Sequence, residues 1–233
     1  MARLKNIKAV FFDFDNTLYA YKPASTAGIK AAYKLLASRY NVTFQEFMQE
    51  YQVVQAINQK IHKGTAASHN RLLRFQRLLE RHGIFQPAFA LALEKTYWDA
   101  YMKEMYFDPS VADTLQYLRQ QGYALGIITD LTARIQLTKL VRSKISHFFG
   151  AIVTSEEAGH EKPHRAPFVT ALTKLGVSAE HAVMVGDNPK SDIYGAKRMG
   201  MKTIQLIRPD MKHIKGPKAD VTITKLSQLL LYL

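Results

Sequence analysis

Residues 7–17 read Ile7-Lys8-Ala9-Val10-Phe11-Phe12-Asp13-Phe14-Asp15-Asn16-Thr17. The apolar run through Phe12 predicts a buried strand, and the polar cluster from Asp13 to Thr17 ends it. The residues downstream decide what kind of sheet this strand enters. From residue 24 to 104 Gly and Pro are rare and apolar residues recur at helical spacing, as in Tyr33, Leu36 and Tyr40, or Leu72, Phe75, Leu78 and Leu79. This pattern predicts about four helices with breaks near Asn41, Gly64 and Gly83–Pro87.

After Pro109 the rhythm changes. A helix over 111–121, stopped by Gly122, precedes a strand over 123–128. Then come a helix (133–142), a strand (151–154), a helix (166–175), a strand (182–185), a helix (191–199) and a strand (203–207). A short strand (220–223) and a closing helix (226–233) finish the chain. Short strands alternating with helices predict a parallel sheet with right-handed crossovers. The expected fold is therefore α/β, a doubly wound parallel sheet. Its core spans 1–19 and 106–233, and an all-helical lobe is inserted over 20–105.

In such sheets ligands bind beyond the carboxyl ends of the strands. Three of the expected strands run there into Asp13-Phe14-Asp15, Thr129-Asp130 and Gly186-Asp187. Asp is common after strands as a turn former or helix N-cap, but three at one sheet edge exceed that role. Asp13 and Asp15, two residues apart, can point to one side. Close carboxylates repel, so they call for a cation or a shared proton. A hard, oxygen-preferring ion such as Mg²⁺ fits, with Asp187 and Asp192 as further ligands. An Asp carboxylate can attack phosphorus and form an aspartyl phosphate. A nearby acid then protonates the leaving alcohol and activates water. Asp13 and Asp15 can divide these roles, while the Thr129 hydroxyl and the Lys162 ammonium offer donors to phosphate oxygens.

Four short motifs occur in one order: Asp13-Phe14-Asp15-Asn16-Thr17, Thr129 at a strand end, Glu161-Lys162-Pro163, and Gly186-Asp187-Asn188-Pro189-Lys190-Ser191-Asp192. In this the chain resembles the haloacid dehalogenase (HAD) superfamily of hydrolases, over essentially its whole length. The resemblance implies Asp13 as nucleophile, Asp15 as general acid/base, and Thr129 and Lys162 as phosphate holders. It also implies Mg²⁺ on Asp13, the Asp15 backbone carbonyl and Asp187, with Asp192 close by or bound through water. Dehalogenases of the superfamily lack an acid at the position of Asp15, so phosphoryl transfer is favoured. Relatives often carry Asn-Gly after the Thr of the second motif. Here Asp130-Leu131 stands instead, so the Asp130 side chain is expected to turn away from the phosphate or to bind a substrate group, and Asp130 joins the candidate substrate-binding residues. The helical lobe matches the family's cap, which closes over the site and selects the substrate.

Composition narrows the field. The absence of cysteine excludes disulfides, thiolate metal sites and a cysteine nucleophile. No signal-peptide or membrane-spanning pattern follows Met1, so a cytoplasmic protein, monomer or homodimer, is expected. With 32 Lys and Arg against 19 Asp and Glu, the net charge is +13. This suits a small anionic substrate or, less well, nucleic acid, since no recognition motif accompanies it. Arg71, Arg74, Arg77 and Arg81 recur at helical spacing and read as one solvated face; Lys212, Lys215 and Lys218 form a second basic stretch. His160, His164 and Arg165 read as solvated loop residues, His62 and His69 as surface histidines, and Tyr51, Phe75, Tyr97, Trp98 and Tyr101 as lobe core. The expected activity is Mg²⁺-dependent hydrolysis of a small phosphate monoester of the sugar-phosphate or nucleotide class. A phosphomutase is the alternative, and a non-catalytic regulatory or nucleic-acid-binding protein comes third.

Overall fold

The structure is a computed structural model that describes residues 3–208 and 214–233. Lys212 of the second basic stretch lies outside these residues, while Lys215 and Lys218 are exposed. The chain divides into two compact units, one of residues 1–20 with 107–233 and one of residues 21–106.

In the first unit six parallel strands form one sheet in the order β3-β2-β1-β4-β5-β6. They are β1 (Ala9–Phe12), β2 (Ala124–Thr129), β3 (Ala151–Thr154), β4 (Ala182–Gly186), β5 (Lys202–Leu206) and β6 (Val221–Ile223). All four β1 residues are buried, as expected of a central strand covered on both faces. From β1 the chain builds outward through β2 and β3, then returns to the other side of β1 with β4. The strand order therefore reverses at β1, and the crevice at such a switch point is where doubly wound sheets place ligands. Phe12 pairs with Ile127 and Val185, so Asp13, Thr129 and Asp187 leave the sheet at one edge.

Two elements depart from their expected form. The helix expected from residue 191 begins as a π-helical turn, Pro189–Ile193, and continues as a short α-helix over Tyr194–Arg198. The closing helix is a 3-10 helix over Leu226–Leu231. In the first case Asn188 dictates the start: its side chain accepts from the Lys190 N–H, and its carbonyl accepts from both Asp192 and Ile193 N–H. The wider turn that results carries Asp192 into the sheet edge.

The second unit contains α1 (Tyr21–Ala37), α2 (Phe44–Ile61), α3 (Arg71–Arg81) and α4 (Pro87–Glu104), with a 3-10 turn over Ala66–His69. Local chemistry sets the boundaries: Thr43 and Glu46 form a capping box on α2, and Asn70 caps α3 by accepting from the Leu73 N–H. A Cβ on Gly28 would overlap Tyr97, so glycine there lets α1 and α4 approach closely. Tyr51, Phe75, Tyr97, Trp98 and Tyr101 are buried and in ring contact, which makes them core.

The expected solvated arginine face is corrected at two of its four positions. In α3 the buried stripe runs through residues 71, 74, 75, 78 and 79, the i, i+3, i+4, i+7 face of a helix. Arg71 and Arg74 lie on this stripe and are buried, whereas Arg81 steps off it and is exposed. Three- to four-residue spacing tells which residues share a face but not which way that face looks. No helix among the described residues is long and apolar enough to cross a membrane.

Candidate active site

The sheet edge gathers two buried ammoniums, Lys162 and Lys139, and several carboxylates. Asp13 follows β1, is buried, and is fixed by its own N–H donating to the Val185 carbonyl at 2.9 Å. Lys162 sits in the loop before the helix Arg165–Leu175, beside a cis peptide bond to Pro163. Its Nζ donates to Asp13 Oδ1 at 2.6 Å, to Asp192 Oδ1 at 2.7 Å and to the Ile128 carbonyl at 2.9 Å. Thr17 donates its hydroxyl to the other Asp13 oxygen at 3.3 Å. Asp192 is held from its second oxygen by the Asn188 N–H at 3.0 Å. A Cβ on Gly186 would overlap the Asp192 carboxyl group, so only glycine lets β4 end this close to it.

Asp13, Asp187 and Asp192 each offer a carboxylate oxygen, and these lie within 4.8 Å of one another. Burial, opposed by Lys162 but reinforced by Asp192 and Asp187, pushes the Asp13 carboxyl well above the ordinary range. Burial and the Asp192 charge raise Asp187 to about 7. Burial also opposes the Lys162 ammonium, yet Asp13, Asp192 and Asp130 outweigh it and strengthen its hold on its proton. Three carboxylates against one ammonium leave a surplus of negative charge that a cation would relieve. Oxygen-only donors of this kind suit a hard divalent ion. Among the described residues neither His62 nor His69 joins a group of this kind; His160 and His164 are exposed, their rings 3.8 Å apart.

Asp130 occupies a different place from Thr129. Its Oδ1 accepts the Lys162 backbone N–H at 3.0 Å, so its carboxylate anchors the loop that carries the ammonium. Burial raises its pKa despite the pull of Lys162. The next residue, Leu131, has φ +98°, a conformation that costs a leucine about 1–3 kcal/mol and that glycine adopts freely. Its N–H donates to Ser155 Oγ at 2.9 Å, and that hydroxyl returns a bond to the Leu131 carbonyl at 3.3 Å. The unusual Asp130-Leu131 pair is thus stabilised by partners outside its own turn.

Asp15 brings in three residues that the motif reading passed over. Lys139 Nζ donates to its two carboxylate oxygens at 2.8 and 3.0 Å, Gln136 Nε2 to one of them at 3.2 Å, and the Tyr19 hydroxyl to the other. Gln136 also donates to Thr129 Oγ1 and to the Asp130 carbonyl, both at 2.7 Å, and so ties the first motif to the second. Burial works against the Asp15 anion, but Lys139 and the hydrogen bonds prevail and lower its pKa. Gln136 and Lys139 belong to the helix Ala133–Arg142, where they are buried while Leu137 and Val141 are exposed. That inverted pattern, polar residues on the inward stripe of a helix after a strand, is the signal in the sequence that marks them.

Similarity to known proteins gives the family of the chain. Residues 10–206 match the model of the haloacid dehalogenase-like hydrolase family. The ribulose-1,5-bisphosphate 5-phosphatase of Halopiger xanaduensis is 42% identical over 219 residues, spanning 93% of this chain and 91% of that protein. The glyceraldehyde 3-phosphate phosphatase of Methanopyrus kandleri is 37% identical over 206 residues, spanning 87% and 84%. Among solved structures, the magnesium-bound HAD-hydrolase YfnB of Bacillus subtilis has a TM-score of 0.73 at 26% identity, covering 97% of this chain and 98% of that one. The chain belongs to the haloacid dehalogenase-like hydrolases and, within them, to the phosphatases of small phosphorylated compounds.

Proposed function

We propose that the chain is a Mg²⁺-dependent phosphatase of sugar-phosphate-class monoesters working through a phosphorylated Asp13. The observation that carries this reading is the Asp13–Lys162–Asp192 array: a buried carboxylate at the sheet edge, aligned by an ammonium that also faces a second carboxylate. Asp13 attacks phosphorus as Asp15 passes a proton to the departing alkoxide, so one P–O bond forms and one breaks. Water then attacks the acyl phosphate, gives a proton to Asp15, and inorganic phosphate leaves Asp13. Lys162 and the Thr129 hydroxyl donate to the phosphoryl oxygens as charge builds on them. Asp13, the Asp15 carbonyl, Asp187 and Asp192 would hold Mg²⁺, which supplies charge neutralisation for the attacking carboxylate and the phosphoryl group. The magnesium-bound relative and the three-carboxylate cluster support this choice of ion. The helical unit is read as the substrate-selecting cap.

The test is phosphate release from a panel of sugar mono- and bisphosphates, triose phosphates and nucleotides, with Mg²⁺ and with excess EDTA. Turnover that EDTA stops and Mg²⁺ restores is expected. A well-folded protein that turns over the same substrates in EDTA at the same rate would rule out the metal part of the reading.

Lys139 is a positioning residue in this scheme, because it aims the Asp15 carboxylate. Lys139→Met is expected to lower kcat by about 10- to 100-fold, within the range of losing an oriented acid–base group, with KM nearly unchanged. Lys139→Arg is expected to recover part of the loss. Equal damage from both substitutions, or a change confined to KM, would show that Lys139 serves packing or binding instead.

A further inference from the structure

Gln136 is fully buried in the helix Ala133–Arg142. Its amide nitrogen carries two hydrogens and faces three acceptors. These are Thr129 Oγ1 and the Asp130 carbonyl, both at 2.7 Å, and Asp15 Oδ2 at 3.2 Å. The two short bonds use both hydrogens, so the longer contact to Asp15 is a shared one. The Asp15 carboxylate is meanwhile held by Lys139 at 2.8 and 3.0 Å. Gln136 Oε1, by contrast, is buried without a hydrogen-bond partner.

Packing alone does not explain a glutamine here. A buried carbonyl oxygen left unpaired is destabilising, and methionine fills a similar volume with no such atom. What the amide adds is direction. Thr129 ends β2 and is itself buried. A threonine hydroxyl has one hydrogen and two lone pairs, and it rotates to suit its partners. The Gln136 N–H occupies one lone pair, so the hydroxyl hydrogen turns elsewhere. The acceptor it has within the fold is the Asp130 carbonyl at 3.4 Å, which already takes a Gln136 N–H at 2.7 Å. A hydroxyl bond of that length is weak. The hydrogen therefore stays available for an oxygen arriving at the sheet edge.

We propose that Gln136 is a positioning residue that turns the Thr129 hydroxyl toward the phosphoryl group. This rests on the phosphatase reading, in which Thr129 donates to a phosphoryl oxygen. It separates two helpers on one helix: Lys139 acts through the Asp15 carboxylate, and Gln136 acts through Thr129. The bond from Gln136 is in place before substrate arrives, so the donor does not reorganise as charge builds.

The experiment is a double-mutant cycle on the full chain, with Gln136→Met, Thr129→Val and the pair. With Mg²⁺ present, kcat/KM is measured on p-nitrophenyl phosphate and on an alkyl phosphate from the substrate panel. Binding of inorganic phosphate is measured by calorimetry, and circular dichroism verifies folding. Gln136→Met is expected to lower kcat/KM about ten-fold or more, equally on both esters, and to weaken phosphate binding. In the Thr129→Val background the same substitution should change neither by more than about two-fold, because the hydroxyl it directs is gone. Gln136→Asn, which withdraws the amide by one methylene and keeps its polarity, is expected to reproduce the loss and serves if the Met variant does not fold. Losses that multiply in the double variant overturn the proposal, as does a folded Gln136→Met with wild-type kcat/KM. A loss on the alkyl ester alone overturns it too: a nitrophenolate leaves without a proton, so that pattern places Gln136 behind Asp15. Phosphate binding that follows the cycle without turnover of either ester would uphold the role of Gln136 and count against the phosphatase reading. A wild type that neither binds phosphate nor hydrolyses either ester would overturn both.

Discussion

Asp13→Asn is expected to abolish phosphate release, lowering kcat by roughly four orders of magnitude or more, the scale seen when a covalent nucleophile is removed. The amide has nearly the shape of the carboxylate but is a far poorer nucleophile. Its effect on folding should be opposite in kind. Asp13 is buried beside two other carboxylates that push its pKa upward, so a neutral group relieves repulsion. Lys162 meanwhile keeps Asp192 and the Ile128 carbonyl as partners. The thermal midpoint in EDTA should therefore hold or rise while activity disappears. Single-turnover rates and calorimetry on the same preparation check both halves. A variant retaining more than about a hundredth of wild-type kcat would show that another group attacks phosphorus.

Lys162→Met should damage both activity and stability. Methionine fills a similar volume without the charge, leaving Asp13 and Asp192 buried and facing each other. Loss of a donor that stabilises developing charge at phosphorus lowers kcat by about 10²- to 10³-fold. Removing one partner of a buried ion pair costs about 3–5 kcal/mol, and here the lost ammonium serves two carboxylates at 2.6 and 2.7 Å. Much of the stability loss should return in Mg²⁺, because a ligand that binds the folded state alone stabilises it. The activity should not return, since the cation does not replace the donor at the phosphoryl oxygens. Urea midpoints in EDTA and in Mg²⁺ separate the two effects. If the variant were as stable as the wild type in EDTA, Lys162 would not be what balances this cluster.

The two experiments address different parts of the site. Asn at position 13 removes the reacting atom and keeps the scaffold; Met at position 162 keeps the reacting atom and removes its electrostatic support. Together with Lys139, which acts through Asp15, they separate attack, charge stabilisation and proton transfer.

Much of the fold and of the site was legible from order along the chain. Strand periodicity, the four motifs and the change of texture at residues 24 and 109 reflect local preferences: buried strands need continuous apolar runs, helices need one apolar stripe, and each leaves its spacing in the sequence. Asp13, Thr129 and Asp187 were visible because strand ends collect on one sheet edge, and Lys162 and Asp192 because they complete short motifs in the expected order. The tertiary structure alone decided which partners these groups meet. The sequence left open whether Asp130 turns away from the phosphate or binds a substrate group; the fold has its Oδ1 accept the Lys162 backbone N–H. Lys139 reaches Asp15 from 124 residues away, and no local rule encodes such a contact. Arg71 and Arg74 share the spacing of solvated arginines, yet they are buried because the helix turns that stripe toward its neighbours. Periodicity determines which residues share a face. The direction of the face, and hence the charge state and partners of what lies on it, is settled by packing between elements distant in sequence.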